Sequence, residues 1–352
     1  MPRSKWLDPK RIVHGIRWRW ARFQQERRSP RPQYLEPTGD RFRASVLDHY
    51  GVTTIDELDP TRRMWADFTL SSPQRGAEAV AMMGGPPAFR GNRVLDVGCA
   101  QGGFVVAAVK AGATEVVGID NNPVVFETAP LLLSDYGVEA DLRRADLTER
   151  SLPDQLGKFD LILCNDVLEH VTDVEAAIAN LEQLMTPAAR LYLEIPNGNA
   201  IQYVRSDGHY KIPGITLLDF EDARNWHRGF YPEAGPYDTY FYGTLDFYLA
   251  AFSKNGIALR LLHVTTGDDV DTLRAELDLL THEFTGFREK HSEKAPELVD
   301  KIVSRATDYQ GRLRAQLERL ETLKNPAERT ILATSLRCTY EIGNWVLLGH
   351  RT

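Results

Sequence analysis

The chain has 352 residues, 43% of them hydrophobic and 26% charged, which is enough apolar material for a full core and excludes disorder throughout. No run approaches the roughly 18–20 apolar residues of a bilayer span, and the opening MPRSKWLDPKR lacks the apolar stretch of a secretory signal. A net charge of −7 argues against general nucleic-acid binding, and three scattered cysteines (Cys99, Cys164, Cys338) are too few for a disulfide framework or a zinc site, so the expected compartment is reducing cytoplasm.

In chain order, residues 1–43 hold twelve Lys or Arg against four Asp or Glu. Within them Ile12, Ile16, Trp20 and Phe23 form a helical stripe among arginines, and Ser29 to Pro37 reads as a proline-rich linker. Short helices are expected at 43–50 and 74–84. From Asn92 onward strands and helices alternate. The strands are expected at Arg93–Val97, Glu115–Ile119, Ala140–Arg144, Phe159–Cys164, Arg190–Ile195 and Ala258–Val264. The helices between them are Gly103–Ala111, Pro123–Tyr136, Asp173–Leu184 and Leu245–Asn255. This alternation predicts an α/β fold with a mostly parallel, Rossmann-like sheet and helices on both faces. Ligands of such sheets bind beyond the carboxyl ends of the strands.

Two insertions interrupt the pattern. Residues 198–243, rich in Gly, Pro, His and Tyr, read as a lid without a clean period. In 268–328, Val270, Leu273, Leu277, Leu280, Phe284 and Phe287, and then Ile302, Ala306, Tyr309, Leu313, Leu317, Leu320 and Leu323, predict an antiparallel helical hairpin. A last strand at Glu341–Arg351 returns to the sheet. The expected organisation is a basic helical extension (1–75), a core with its lid (76–267), the hairpin (268–328) and a C-terminal return (329–352).

Four segments carry chemistry. Val94 to Phe104 (VLDVGCAQGGF) runs from a buried strand through Gly98, Gly102 and Gly103 into a helix. Glycines there let a ligand approach the backbone, but the dinucleotide spacing G-x-G-x-x-G is not met, which disfavours a nicotinamide oxidoreductase. Asp120 closes the second strand, with Asn121 after it, where a carboxylate can accept both hydroxyls of a ribose. Asp146-Leu147 follows the third strand; an acid beside a backbone N–H suits the amine and ring nitrogen of adenine. The fourth strand ends in Asn165-Asp166-Val167-Leu168-Glu169-His170.

In this order and spacing the four segments resemble the class I methyltransferases that use S-adenosylmethionine, over about residues 76–267. The segment Ser206 to Gly214 (SDGHYKIPG), which holds His209, resembles an Asp-x-His-Tyr-x-x-Pro segment of bacterial methyltransferases of glycan and secondary-metabolite pathways. The first resemblance implies that Asp96, Gly98 and Gly102 lie against the methionine part of the cofactor. It further implies Asp120 and Asn121 at the ribose, Asp146 and Leu147 at the adenine, and Asn165 near the amino group. Pro196-Asn197 would open toward the acceptor. Cys99 and Cys164 are expected to be small buried hydrophobes.

An oxygen acceptor must also lose a proton, for which histidine suits neutral pH. The candidates are His170, His209 and His227, the last two in an aromatic lid with Tyr210, Tyr231, Tyr237, Tyr240, Tyr242 and Trp226. Asp166, Glu169 and His170 would share one face of a helix. Ubiquinone-pathway O-methyltransferases show a similar Glu-x-x-Glu-His associated with a divalent cation, but no metal is assigned here. The expected reaction is O-methylation of a sugar, polysaccharide or related small metabolite. An amine acceptor, and a non-catalytic scaffold binding a protein partner through the hairpin, are the alternatives. The N-terminal stripe suits peripheral membrane contact through arginine and tryptophan, or capping of the acidic core or of a homodimer partner.

Overall fold

The computed structural model describes residues 35–352 apart from 234 and 265; the basic stripe at 12–23 and most of the linker at 29–37 lie outside the described residues. Seven strands form one sheet: β1 (Arg93–Val97), β2 (Glu115–Asp120), β3 (Asp141–Arg144), β4 (Phe159–Asn165), β5 (Met185–Pro196), β6 (Ile257–Leu261) and β7 (Asn344–Arg351). Their order is β3-β2-β1-β4-β5-β7-β6. The first five are parallel, while β7 runs antiparallel between β5 and β6.

The central strands are apolar at almost every position because both faces are covered. Leu95, Val97, Ile162, Cys164, Leu191 and Leu193 enter a core on one face. Their neighbours Val94, Leu161, Leu163 and Tyr192 enter a second core on the other. The strand period of two thus divides one continuous apolar run between two layers.

The expected strands and intervening helices are present, including Gly103–Lys110, Val125–Tyr136, Val174–Leu184 and Leu245–Lys254. Among the described residues, three further helices of at least eleven residues depart from the sequence expectation: Pro60–Leu70, Phe220–Phe230 inside the lid, and Pro326–Tyr340 in the C-terminal return. Each of the last two is opened by a side chain that binds the first turn. Asp219 accepts from the Asp222 N–H and Asn325 from the Ala327 N–H.

The hairpin comprises Asp271–Phe284 and the 27-residue helix Pro296–Thr322. Its apolar stripe is buried within the chain. Leu273, Leu277, Leu280, Tyr309, Leu313 and Leu317 pack with Ile201, Val204 and Leu336. The beginning of the long helix, at Leu298, Val299 and Ile302, packs beneath lid residues Ile212, Ile215 and Trp226. The hairpin is therefore the seat of the lid. Buried Arg205, at the end of the short helix Ile201–Arg205, fastens the two with 2.7 Å contacts to Glu276 and Glu283.

Candidate active site at the carboxyl edge of the sheet

Because β3, β2, β1 and β4 are neighbours, the polar residues that end them form one row. Asp96 lies in β1, in register with Gly118 of β2 and Leu163 of β4. Its carboxylate is 3% exposed, and Oδ2 has no hydrogen-bond partner among the described residues. Burial, and then the neighbouring charge of Asp120, push its pKa well above the usual carboxylate range.

The turn after β1 is held by Asp120. Its Oδ2 accepts from the Ala100 N–H at 3.0 Å and its Oδ1 from the Asn122 N–H at 2.9 Å. Asp120 therefore shapes the glycine turn as well as facing its mouth. Gly98 has φ 67°, and a Cβ there would lie 2.4 Å from Val167 Cγ2. Gly102 begins the following helix at φ 83°.

Asp146 organises the loop after β3: its Oδ1 accepts from the Thr148 N–H and hydroxyl at 2.8 and 2.7 Å. Burial acts to raise its pKa, but these bonds and one from the Asn121 side chain hold it below the usual range. Leu147 is buried, and its carbonyl accepts from Asn180 Nδ2 at 2.7 Å. That anchor was not foreseen from the sequence, since nothing in the spacing of a mid-helix Asn marks it. Asn165 ends β4; its Nδ2 donates to Asp166 Oδ2 at 3.0 Å, while its buried Oδ1 has no partner among the described residues.

Beyond Asn165 the chain does not enter a helix. Residues 166–170 form a turn, and Asp166 takes φ 53°. The expected shared face of Asp166, Glu169 and His170 is therefore not formed. Asp166 instead accepts from Asn165 and from Asn344 Nδ2 of β7 at 3.1 Å. Glu169 is fully buried, and its Oε1 lies 3.8 Å from His170 Nε2 and 3.7 Å from His209 Nε2. The two rings meet edge-to-face with centroids 4.9 Å apart. The lid thus brings His209 to the turn that carries His170.

Each imidazole is oriented through its other nitrogen. His170 Nδ1 lies 2.9 Å from the Asp238 carbonyl, and His209 Nδ1 lies 3.1 Å from the Tyr242 hydroxyl. Burial disfavours the charged form of His170, yet Asp238 and then Glu169 outweigh it and raise the pKa to about 9. The loop bearing His209 is shaped by Asp207, which is fully buried and accepts from the N–H groups of His209, Tyr210 and Ile212 at 2.7–2.9 Å.

His227 stands apart from this cluster. It is 3% exposed and packs among Tyr210, Tyr231 and Tyr237 as part of the lid's own aromatic core, where burial lowers its pKa. Asn197 also departs from expectation. It is fully buried, with Nδ2 directed at the carbonyls of Thr339 and Ile342, so it ties β5 to the C-terminal return rather than facing an acceptor. Cys99 and Cys164 are buried, and burial raises both thiols.

Residues 73–234 match a family model described as a methyltransferase domain. A ubiquinone biosynthesis O-methyltransferase of Aromatoleum aromaticum is 32% identical over 150 residues, covering 43% of this chain and 56% of that protein. One from a Chelativorans species is 35% identical over 138 residues, covering 39% and 49%. The chain thus spans about half the length of these curated relatives. A solved S-adenosylmethionine-dependent methyltransferase of Mesorhizobium loti is 20% identical, covering 65% of this chain and 94% of that one, with a TM-score of 0.41. The relatives' names do not point to the glycan or secondary-metabolite enzymes expected from the sequence.

Proposed function

We propose that the chain is an S-adenosylmethionine-dependent methyltransferase acting on a hydroxyl group. The observation that carries this reading is the row Asp146, Asp120, Asp96 and Asn165 along adjacent strand ends, continued into Glu169, His170 and His209 under the lid. The residues fit the cofactor. Asp96 Oδ2 and Asn165 Oδ1 are buried acceptors without donors among the described residues, which suits a ligand rich in N–H, O–H and positive charge. Gly98 has no Cβ, and one there would clash with Val167, so the glycine turn and the turn after β4 can lie against each other at the edge where the cofactor would sit.

Asp96 and Asn165 would hold the methionine part, Asp120 and Asn121 the ribose, and Asp146 with the Leu147 backbone the adenine. When bound, S-adenosylmethionine supplies a methyl group made electrophilic by its sulfonium. The protein's share is alignment and water exclusion, which the lid and its hairpin seat provide. Proton removal from the acceptor falls to His209, pre-oriented beside the buried Glu169, while His170, whose raised pKa keeps it charged near neutral pH, supplies positive charge to the cluster.

For the acceptor we favour a hydroxylated ring, because Phe220 and Tyr240 stack at 4.7 Å beside Tyr210 and Tyr237 in the lid. A sugar, glycan or related metabolite has such a ring; the relatives' names support a ubiquinone-type ring as the second acceptor class. Burial of the hairpin's apolar stripe against the chain itself weighs against the scaffold reading. The test is a calorimetric titration with S-adenosylhomocysteine, with NADH for comparison, followed by assay of hydroxylated sugars and phenols with the methyl linkage of the product determined. Saturable one-site binding of S-adenosylhomocysteine alone supports the reading. No binding overturns the cofactor, and an N-methyl product overturns the acceptor class.

A further inference from the structure

We propose that Asn344, the first residue of the C-terminal strand β7, is a positioning residue for the cofactor. Acting through Asp166, it fixes the Asn165 amide with its oxygen toward the amino group of the methionine part. This role rests on the cofactor reading above.

Three strand ends meet at this point. Asn165 of β4 is in register with Glu194 of β5, and Pro196 of β5 with Asn344. Asp166 turns the chain after β4 in a left-handed conformation at φ 53°, and its N–H donates to the Glu194 carbonyl at 2.9 Å. Its carboxylate therefore lies between two amides. Oδ2 accepts from Asn165 Nδ2 at 3.0 Å, and Oδ1 accepts from Asn344 Nδ2 at 3.1 Å.

An ionised carboxylate can only accept, so each amide presents its nitrogen to it. For Asn165 this decides which end of the amide is left over. Oδ1 lies on the side away from Asp166, buried and with no partner among the described residues. Such an acceptor suits an ammonium group. Asn344 is fixed in turn: its Nδ2 also donates to Glu194 Oε1 at 3.1 Å, and its Oδ1 accepts from the Tyr203 hydroxyl at 2.7 Å. Tyr203 is buried on the short helix Ile201–Arg205, which Arg205 fastens to the hairpin. A line of hydrogen bonds thus runs from the base of the lid to the proposed cofactor row, through a residue 178 positions beyond Asp166. Removing the Asn344 amide takes away the donor that Asp166 and Glu194 share, and so loosens the hold of Asp166 on Asn165.

The experiment is calorimetry on the purified full chain with two ligands, S-adenosylhomocysteine and 5′-methylthioadenosine. The second keeps the nucleoside and the sulfur but lacks the amino-acid group. Asn344→Leu should weaken S-adenosylhomocysteine about 10-fold, as for a loosened charge-assisted hydrogen bond, and change 5′-methylthioadenosine by less than about 2-fold. Asn165→Ala should show the same selectivity. Adding Asn344→Leu to it should cost less than about 2-fold more, because both act on one contact. Tyr203→Phe, which removes one hydroxyl at the far end, should weaken S-adenosylhomocysteine selectively by about 3-fold. It carries the comparison if thermal melts show Asn344→Leu to be unfolded. Equal loss for both ligands overturns the proposal by marking Asn344 as purely structural. So does unchanged S-adenosylhomocysteine affinity, or full additivity with Asn165→Ala. Failure of the unaltered chain to bind S-adenosylhomocysteine overturns the cofactor reading and this role together, whereas binding by the unaltered chain with unselective variants overturns this role alone.

Discussion

Asp120 holds the Ala100 and Asn122 amides, and in the proposed function it also offers its carboxylate to the ribose. Asp120→Ala is expected to weaken S-adenosylhomocysteine binding about 10- to 100-fold, the range for losing a charge-assisted hydrogen bond of roughly 1.5–3 kcal/mol; calorimetric Kd checks it. Gly98→Ala combines a left-handed backbone with a clash against Val167, so affinity should fall by about 100-fold or more. Adding Val167→Ala should restore only part of it, since the backbone cost stays. His209→Ala should lower turnover at least about 100-fold while cofactor Kd changes less than about 2-fold; retained turnover would assign His209 to lid packing alone. The acids at the strand ends were legible in the sequence because strand, turn and helix signals bracket them. The role of Asp207, visible only as part of the segment around His209, and Asp238 altogether were not, because each acts through the fold around it. Asp207 collects three amides of its own loop, and Asp238 meets His170 only after the lid has folded back.

Among the elements, the lid helix Phe220–Phe230 shows why irregular composition misleads. Phe220, Ala223, Trp226 and Phe230 keep helical spacing, and Asp219 supplies the cap, but glycines, prolines and tyrosines on either side mask the period. The joint between lid and hairpin contains His291, which is 3% exposed with neither ring nitrogen hydrogen-bonded among the described residues. It packs against Trp226, Phe230 and Phe287. Burial, followed by the charges of Lys290 and Lys294, lowers its pKa from 6.5 to about 4. The folded state therefore keeps the ring neutral while the unfolded chain takes up a proton below pH 6.5. Stability at this joint is fully present above that value and is lost progressively as pH falls toward 4. Melting curves at pH 7 and pH 5 should show a smaller loss of Tm for His291→Leu than for the unaltered chain. An equal loss in both would remove His291 as the cause. Arg205→Ala should destabilise the same region by about 2 kcal/mol, because it removes a side chain that is 7% exposed and leaves the half-buried Glu276 and Glu283 without their shared cation, as measured by urea unfolding.

Over the whole molecule, the sheet order was not legible from strand spacing alone. Alternating strands and helices predict a parallel sheet, and β1 to β5 are parallel, but the chain leaves β3 at the edge and crosses back so that β4 lies beside β1. The insertion of β7 between β5 and β6 depends on contacts distant in sequence, such as Glu194 with Val346 and Leu259 with Gly349. The hairpin lies between β6 and β7 in the chain, and it carries the lid on its flank. This arrangement orders events in time during synthesis. The residues of the proposed cofactor cradle are complete once β4 has emerged, and β1 to β4 pair with one another within residues 93–165. The lid residues emerge next, yet their seat is made only when the long hairpin helix follows, and Asn197 finds its carbonyls only when residues 339–342 arrive. A nascent chain would thus possess the proposed place for the nucleoside well before its lid is seated, and a nucleoside bound there would steady the half-made sheet during that interval.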